Sequence, residues 1–181
     1  MTGLTRTSAL SATVISGLLV VADQVTKTLV RHTMTLHDSI PVLPSLNLTY
    51  TRNPGAAFSL FAEADATFRF WFFTLISIAA LAMVIAFLRR VAHGDWWTLT
   101  ALALILGGAI GNLIDRIRFG EVIDFIDAYV GTHHWPVFNL ADSGITIGMV
   151  MLLGHLLLDK GAVGRPGTSK RRTLRSSPPN T

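Results

Sequence analysis

Residues 96–114 read WWTLTALALILGGAIGNLI, with no charged side chain, and Asp115 and Arg116 follow at once. A helix needs about 20 residues to cross the apolar part of a bilayer, so this stretch is long and greasy enough to do so. Working outward, three more stretches have the same character: Ser8 to Val30, Phe68 to Leu88 and Leu140 to Leu158. Of 181 residues, 50% are hydrophobic and 14% charged, whereas a soluble domain carries about 25% charged residues. Mean hydropathy is +0.50. The expected fold is therefore an all-α polytopic membrane protein. It has four transmembrane helices, with outer loops over about 31–67 and 116–139 and a small extracytoplasmic β-containing subdomain. Residues 1–164 read as one membrane-embedded domain, and 165–181 as a disordered basic tail.

The first run begins after Arg6 and resembles a secretory signal, but no small-residue cleavage pattern follows Val21, and three further spans come after it. It reads as a retained helix. Four spans put both termini on one side. Arg6, Arg89, Arg90, Lys160 and the five basic residues of the tail lie there; Lys27, Arg31, Arg52, Arg69, Arg116 and Arg118 lie on the other. The positive-inside rule then predicts cytoplasmic termini. The tail accounts for the net charge of +4, since the remaining residues carry ten basic and eleven acidic side chains. No basic face is left for nucleic acid. With no cysteine, disulfides, thiolate metal sites and cysteine nucleophiles are excluded.

Between the first two spans, Leu46, Leu48 and Tyr50 alternate with polar residues, which predicts a short strand. Asn53-Pro54-Gly55 reads as a turn, and Ala56 to Phe61 as an apolar segment resting on the membrane surface. The unusual polar residues gather at one membrane face: Asp23, Lys27, Arg52, Asn53, Asn112, Asp115, Arg116, Asp124, Asp127, Asn139 and Asp142. The opposite turn offers Arg89, Arg90, His93 and Asp95, an ordinary polar stop. Ionisable groups beside lipid are costly, so a one-sided cluster marks a site.

Plainer readings exist for most members. Asp23 and Lys27, four apart, can form a structural ion pair. The Gly107/Gly111 step suits close helix packing, and Arg116 can snorkel to the headgroups. Asn139 and Asp142 have the spacing of a helix N-cap with an acid in the first turn. Asp124, inside Val122-Ile123-Asp124-Phe125-Ile126, has no such excuse. The adjacent His133 and His134 have poor ligand spacing, and no metal or other cofactor is expected. The His-Glu-x-x-His and Gly-x-Ser-x-Gly motifs are missing. A Ser/Lys pair would need Lys27 with Ser59 or Ser143, which no spacing supports. Two carboxylates close together in a half-dry pocket would share one proton, giving one general acid and one general base.

Five segments then carry a resemblance: Asp23-Gln24-Val25-Thr26-Lys27, Asn53 to Ser59, Gly107 to Arg116, Val122 to Phe125, and Phe138 to Ser143. In this order, over residues 23 to 143, the chain resembles the lipoprotein signal peptidases (signal peptidase II), bacterial membrane aspartyl endopeptidases. The resemblance implies cleavage of diacylglyceryl-modified prolipoproteins just before the lipidated cysteine, at the outer face of the cytoplasmic membrane. It implies Asp124 and Asp142 as the catalytic dyad. Asn53, Gly108, Asn112, Arg116 and Asn139 match pocket-lining positions, and Asp23, Lys27 and Asp115 match supporting ones. The implied partners are prolipoproteins and membrane lipid, with no obligate protein partner. A small transporter would want polar residues spread through the membrane depth, and a noncatalytic assembly factor would leave Asp124 and Asp142 without a purpose.

Overall fold

The four apolar runs form helices α1 (Arg6–Thr33), α2 (Ala66–Leu88), α3 (Trp96–Phe119) and α4 (Leu140–Asp159) in a computed structural model. It describes residues 5–55, 64–91 and 95–159. The surface segment expected from Ala56 to Phe61, Ser59, His93, Lys160 and the basic tail lie outside the described residues. All four helices have the length and hydropathy to span a membrane.

Polar residues cap the N-termini of three helices, and α1 and α2 begin two residues before their apolar stretches. Thr5 accepts from Ser8 N, Asp65 from Thr67 N and Phe68 N, and Asp95 from Thr98 N. Helix α3 extends past the expected boundary at Ile114 to Phe119. It stops at Gly120, whose φ of 77° suits a left-handed cap, with Arg116 and Arg118 in the last turn.

The alternating residues 46, 48 and 50 do lie in a strand, β2 (Leu46–Asn53), preceded by β1 (Ser39–Leu43). The stretch read as an outer loop over 116–139 holds the last turn of α3, then β3 (Val122–Val130) and β4 (His133–His134). The four strands form an antiparallel meander in the order β1-β2-β3-β4. At the Asn53-Pro54-Gly55 turn, Gly55 N donates to Asn53 Oδ1 at 2.9 Å. Gly55 has φ of 93° and faces Phe73, whose ring leaves no room for a Cβ.

Helix α3 is central, packing on α1, α2 and α4. Glycines permit the close approach: a Cβ on Gly107 would lie 2.8 Å from Ser16 O, and one on Gly108 would collide with Ala141 O. Leu18, Leu75 and Leu153 point outward, as lipid-facing residues do. At one end of the bundle, Ala12, Val84, Leu88, Val91, Leu99, Leu102 and Ala103 form an apolar cluster. At the other, Val30, Met34, Tyr50, Ile123 and Phe125 join α1 to the sheet. The C-terminal halves of α1 and α3 and the first turn of α4 meet at this sheet end.

Candidate active site

Asn139 and Asp142 cap α4 reciprocally. Asp142 N donates to Asn139 Oδ1 at 2.9 Å, and Asn139 N donates to Asp142 Oδ2 at 3.3 Å. The plain capping role is real, and it leaves Asp142 Oδ1 available to accept from Asn112 Nδ2 at 2.7 Å. Asp124 comes from β3, which starts two residues beyond the Gly120 cap. The chain entering α4 is pinned to that strand: Ile126 N donates to Phe138 O at 2.7 Å and Phe138 N to Ile126 O at 3.0 Å. This pinning carries Asn139 to Asp124. Asn139 Nδ2 donates to Asp124 Oδ1 at 2.7 Å, while Asn53 Nδ2 donates to Asp124 Oδ2 at 3.0 Å. Asn139 is thus bonded to both acids, by its side chain to one and by its backbone to the other.

Asp124 is 1% exposed and Asn139 wholly buried. Among the described residues, neither Asp124 nor Asp142 has a cationic partner at ion-pair distance. Burial, then the nearby charge of Asp142, pushes the Asp124 carboxyl from 3.8 up to about 7, against the pull of the Asn53 and Asn139 hydrogen bonds and of Lys27. A proton is therefore held at this pair near neutral pH. One protonated and one ionised carboxyl group supply a general acid and a general base.

A groove of about 340 Å³ opens beside Asp142, lined by Trp135, Phe138, Ser143, Thr146 and Ile147. Arg116 Nη1 points to Ser77 Oγ at 3.3 Å and Asn112 O at 3.4 Å. Gly108 meets Ala141 and Ile145, so its lack of a side chain lets α3 and α4 close together beneath the acids. Asp23, Lys27 and Asp115 are brought together: Lys27 Nζ lies 2.8 Å from Asp23 Oδ2 and 2.9 Å from Asp115 Oδ2. Ser143 donates its hydroxyl to Asn139 O at 3.0 Å, so it and Lys27 have separate partners and form no Ser/Lys pair.

The two histidines belong elsewhere. His134 Nδ1 lies 2.7 Å from Asp127 Oδ1 and its ring stacks on Tyr129, while Asn47 Nδ2 donates to Asp127 Oδ2 at 2.9 Å. Burial alone would raise the Asp127 carboxyl, but these hydrogen bonds hold it below its ordinary value. This brace ties β2, β3 and β4. Gln24, given no role from sequence, donates to Asp115 Oδ1 at 2.9 Å and Gly111 O at 3.2 Å. Its signal was an amide inside an apolar span, one residue from Asp23.

Fold and site together define an integral membrane enzyme of the aspartic peptidase class. Residues 15–158 match the signal peptidase (SPase) II family, and the chain belongs to that family. Among its relatives, the lipoprotein signal peptidase of Geobacter sulfurreducens is 50% identical over 141 residues, covering 77% of this chain and 87% of the relative. That of Syntrophus aciditrophicus is 47% identical over 143 residues, 78% of this chain and 89% of the relative. Among solved structures, a bacterial membrane enzyme determined by the in meso method at 2.3 Å superposes with a TM-score of 0.76 and 36% identity. It covers 87% of this chain and 93% of its own.

Proposed function

We propose that this bacterial membrane peptidase removes signal peptides from diacylglyceryl-modified prolipoproteins, cutting just before the lipidated cysteine, with Asp124 and Asp142 as its catalytic pair. The observation that carries the reading is the Asn139 bridge, which hydrogen-bonds both carboxyl groups.

The ionised member takes a proton from a water, whose oxygen attacks the scissile carbonyl carbon. The protonated member hydrogen-bonds the carbonyl oxygen as charge develops on it. Collapse of the tetrahedral intermediate breaks the C–N bond and a carboxyl proton passes to the departing cysteine amine, leaving a carboxylate on the signal peptide. Base and acid are roles of the pair. Asn53, Asn112 and Asn139 fix the carboxyl orientations, and Arg116 borders the peptide's path. Gly108 serves by keeping α3 close to α4.

The diacylglyceryl chains take the lipid-facing side, where each buried methylene contributes about 0.8 kcal/mol. The peptide lies against the groove at Trp135 and Phe138. Both termini face the cytoplasm, the pair works at the outer face, and no obligate protein partner is needed. The excess of Arg and Lys at the termini and the Arg89-Arg90 turn supports this orientation.

The test uses purified Asp124→Asn and Asp142→Asn proteins in bilayers with a lipid-modified precursor. Loss of general acid–base catalysis lowers cleavage by about 100- to 10,000-fold while the protein still accumulates in the membrane. Normal processing by either variant refutes the dyad.

A further inference from the structure

Lys27 is among the largest fully buried side chains of the described residues, 1% exposed, and the reaction as drawn does not touch it. An ammonium has three hydrogens and no acceptor. All three are matched: Asp23 Oδ2 at 2.8 Å, Asp115 Oδ2 at 2.9 Å and Asn112 Oδ1 at 3.0 Å. A tether that merely stabilised α1 would need Asp23 alone, four residues away. Here the second acid and the amide come from α3.

Each of the three partners reaches onward to one of the paired acids. Asp23 Oδ1 accepts from Ala141 N at 3.0 Å, the residue directly before Asp142. Asp115 Oδ2 accepts from Ile123 N at 3.1 Å, the residue directly before Asp124. Asn112 turns its oxygen to Lys27 and its nitrogen to Asp142 Oδ1 at 2.7 Å. Reversed, that amide would set NH₂ against an ammonium and a carbonyl against a carboxylate, so Lys27 fixes which way it faces. The same Asn112 oxygen accepts from Asn139 Nδ2 at 3.1 Å, and that nitrogen also serves Asp124. Two arms grip the backbone on which the acids are mounted, and the third sets the side-chain hydrogen bonds between them.

We infer that Lys27 is a positioning residue for the peptidase: its ammonium is the hub that sets the spacing and orientation of Asp124 against Asp142. The inference rests on the dyad reading above. It places the hub on four elements at once, with Asp23 on α1, Asp115 and Asn112 on α3, Ile123 on β3 and Ala141 on α4. The charged groups around the pair are then Asp23, Lys27, Asp115 and Arg116. Lys27 favours the ionised state of Asp124.

The experiment compares purified full-length wild type with Lys27→Met, the Lys27→Met/Asp115→Asn double variant, Lys27→Arg and Asp124→Asn, in vesicles with a lipid-modified precursor. Removing one partner of a buried ion pair is costly, so the double variant keeps the local charge of the wild type while removing the hub. Folded Lys27→Met loses about a hundredfold in kcat with KM little changed, and the pH limb on which Asp124 gives up its proton moves upward because a nearby positive charge is gone. The double variant returns that limb toward wild type yet keeps the low kcat. Lys27→Arg keeps the limb but not the three-way geometry, and loses about tenfold or more in kcat. Wild-type kcat in any folded Lys27 variant, or recovery of kcat in the double variant, overturns the hub. Failure of all three to yield folded protein assigns Lys27 to folding alone and overturns it too. Normal cleavage by Asp124→Asn would instead overturn the dyad itself, so the two failures are distinguishable.

Discussion

At the far end of the bundle, Leu99, Ala101, Leu102 and Ala103 are almost wholly buried, and the nearby polar groups do ordinary work: Asp95 caps α3 and Trp97 Nε1 donates to Met151 O at 2.7 Å. At the sheet end the buried side chains include the polar Asp23, Lys27, Asn112, Asp115, Asp124, Asp127 and Asn139. Both ends are closely packed. The apolar end tolerates change in proportion to the volume lost. The polar end depends on completeness, because deleting one partner leaves another group buried and unsatisfied. The proposed chemistry sits where the structure accepts that risk.

Two glycines sharpen the contrast. Gly108→Leu at the sheet end drives a side chain into Ala141 O and Ile145, spreading α3 from α4 and parting Asn112 from Asp142. Cleavage of a lipid-modified precursor by this variant is expected to fall about a hundredfold. A next effect concerns the substrate: a precursor lacking the diacylglyceryl group loses much of its docking surface, so its kcat/KM falls by at least about tenfold. Equal turnover of both forms would mean that peptide alone is recognised. At the far end, a Cβ on Gly154 meets nothing within 4 Å. Gly154→Ala is therefore expected to leave activity unchanged and to raise helix stability by about 0.5 kcal/mol, measured by thermal unfolding in detergent.

The same two regions differ in how far the sequence could reveal them. The four spans were legible because apolar runs long enough to cross lipid have few other uses. Helices α1 and α2 began earlier and α3 ended later than those runs, since the polar caps Thr5 and Asp65 and the glycine cap Gly120 are local signals outside them. The gathering of Asp124, Asp142 and the three asparagines near one face followed from topology, and their roles from the family resemblance. Strand β3 was not legible: VIDFIDAYV is buried on both faces for most of its length, so the two-residue alternation that betrayed β2 is absent. Nor was the brace through Asn47, Asp127 and His134, whose partners are brought together by strand register. Gln24 and the backbone donors of Ile123 and Ala141 join the network through contacts between elements, which spacing along one chain does not encode.

Proton sharing also carries a stability signature. A carboxyl raised from 3.8 to about 7 binds more proton folded than unfolded across that window. Stability therefore falls as pH rises from about 4 to about 7, the reverse of an ion-paired aspartate. The most direct measurement of the shared proton is infrared titration of aspartate-labelled protein in bilayers, with Asp124→Asn as the reference. A protonated-carboxyl band should be present at pH 6, be half lost near pH 7 together with cleavage activity, and be missing from Asp124→Asn. A wild-type spectrum indistinguishable from that variant at pH 6, with both acids ionised while the enzyme cleaves at full rate, contradicts the account.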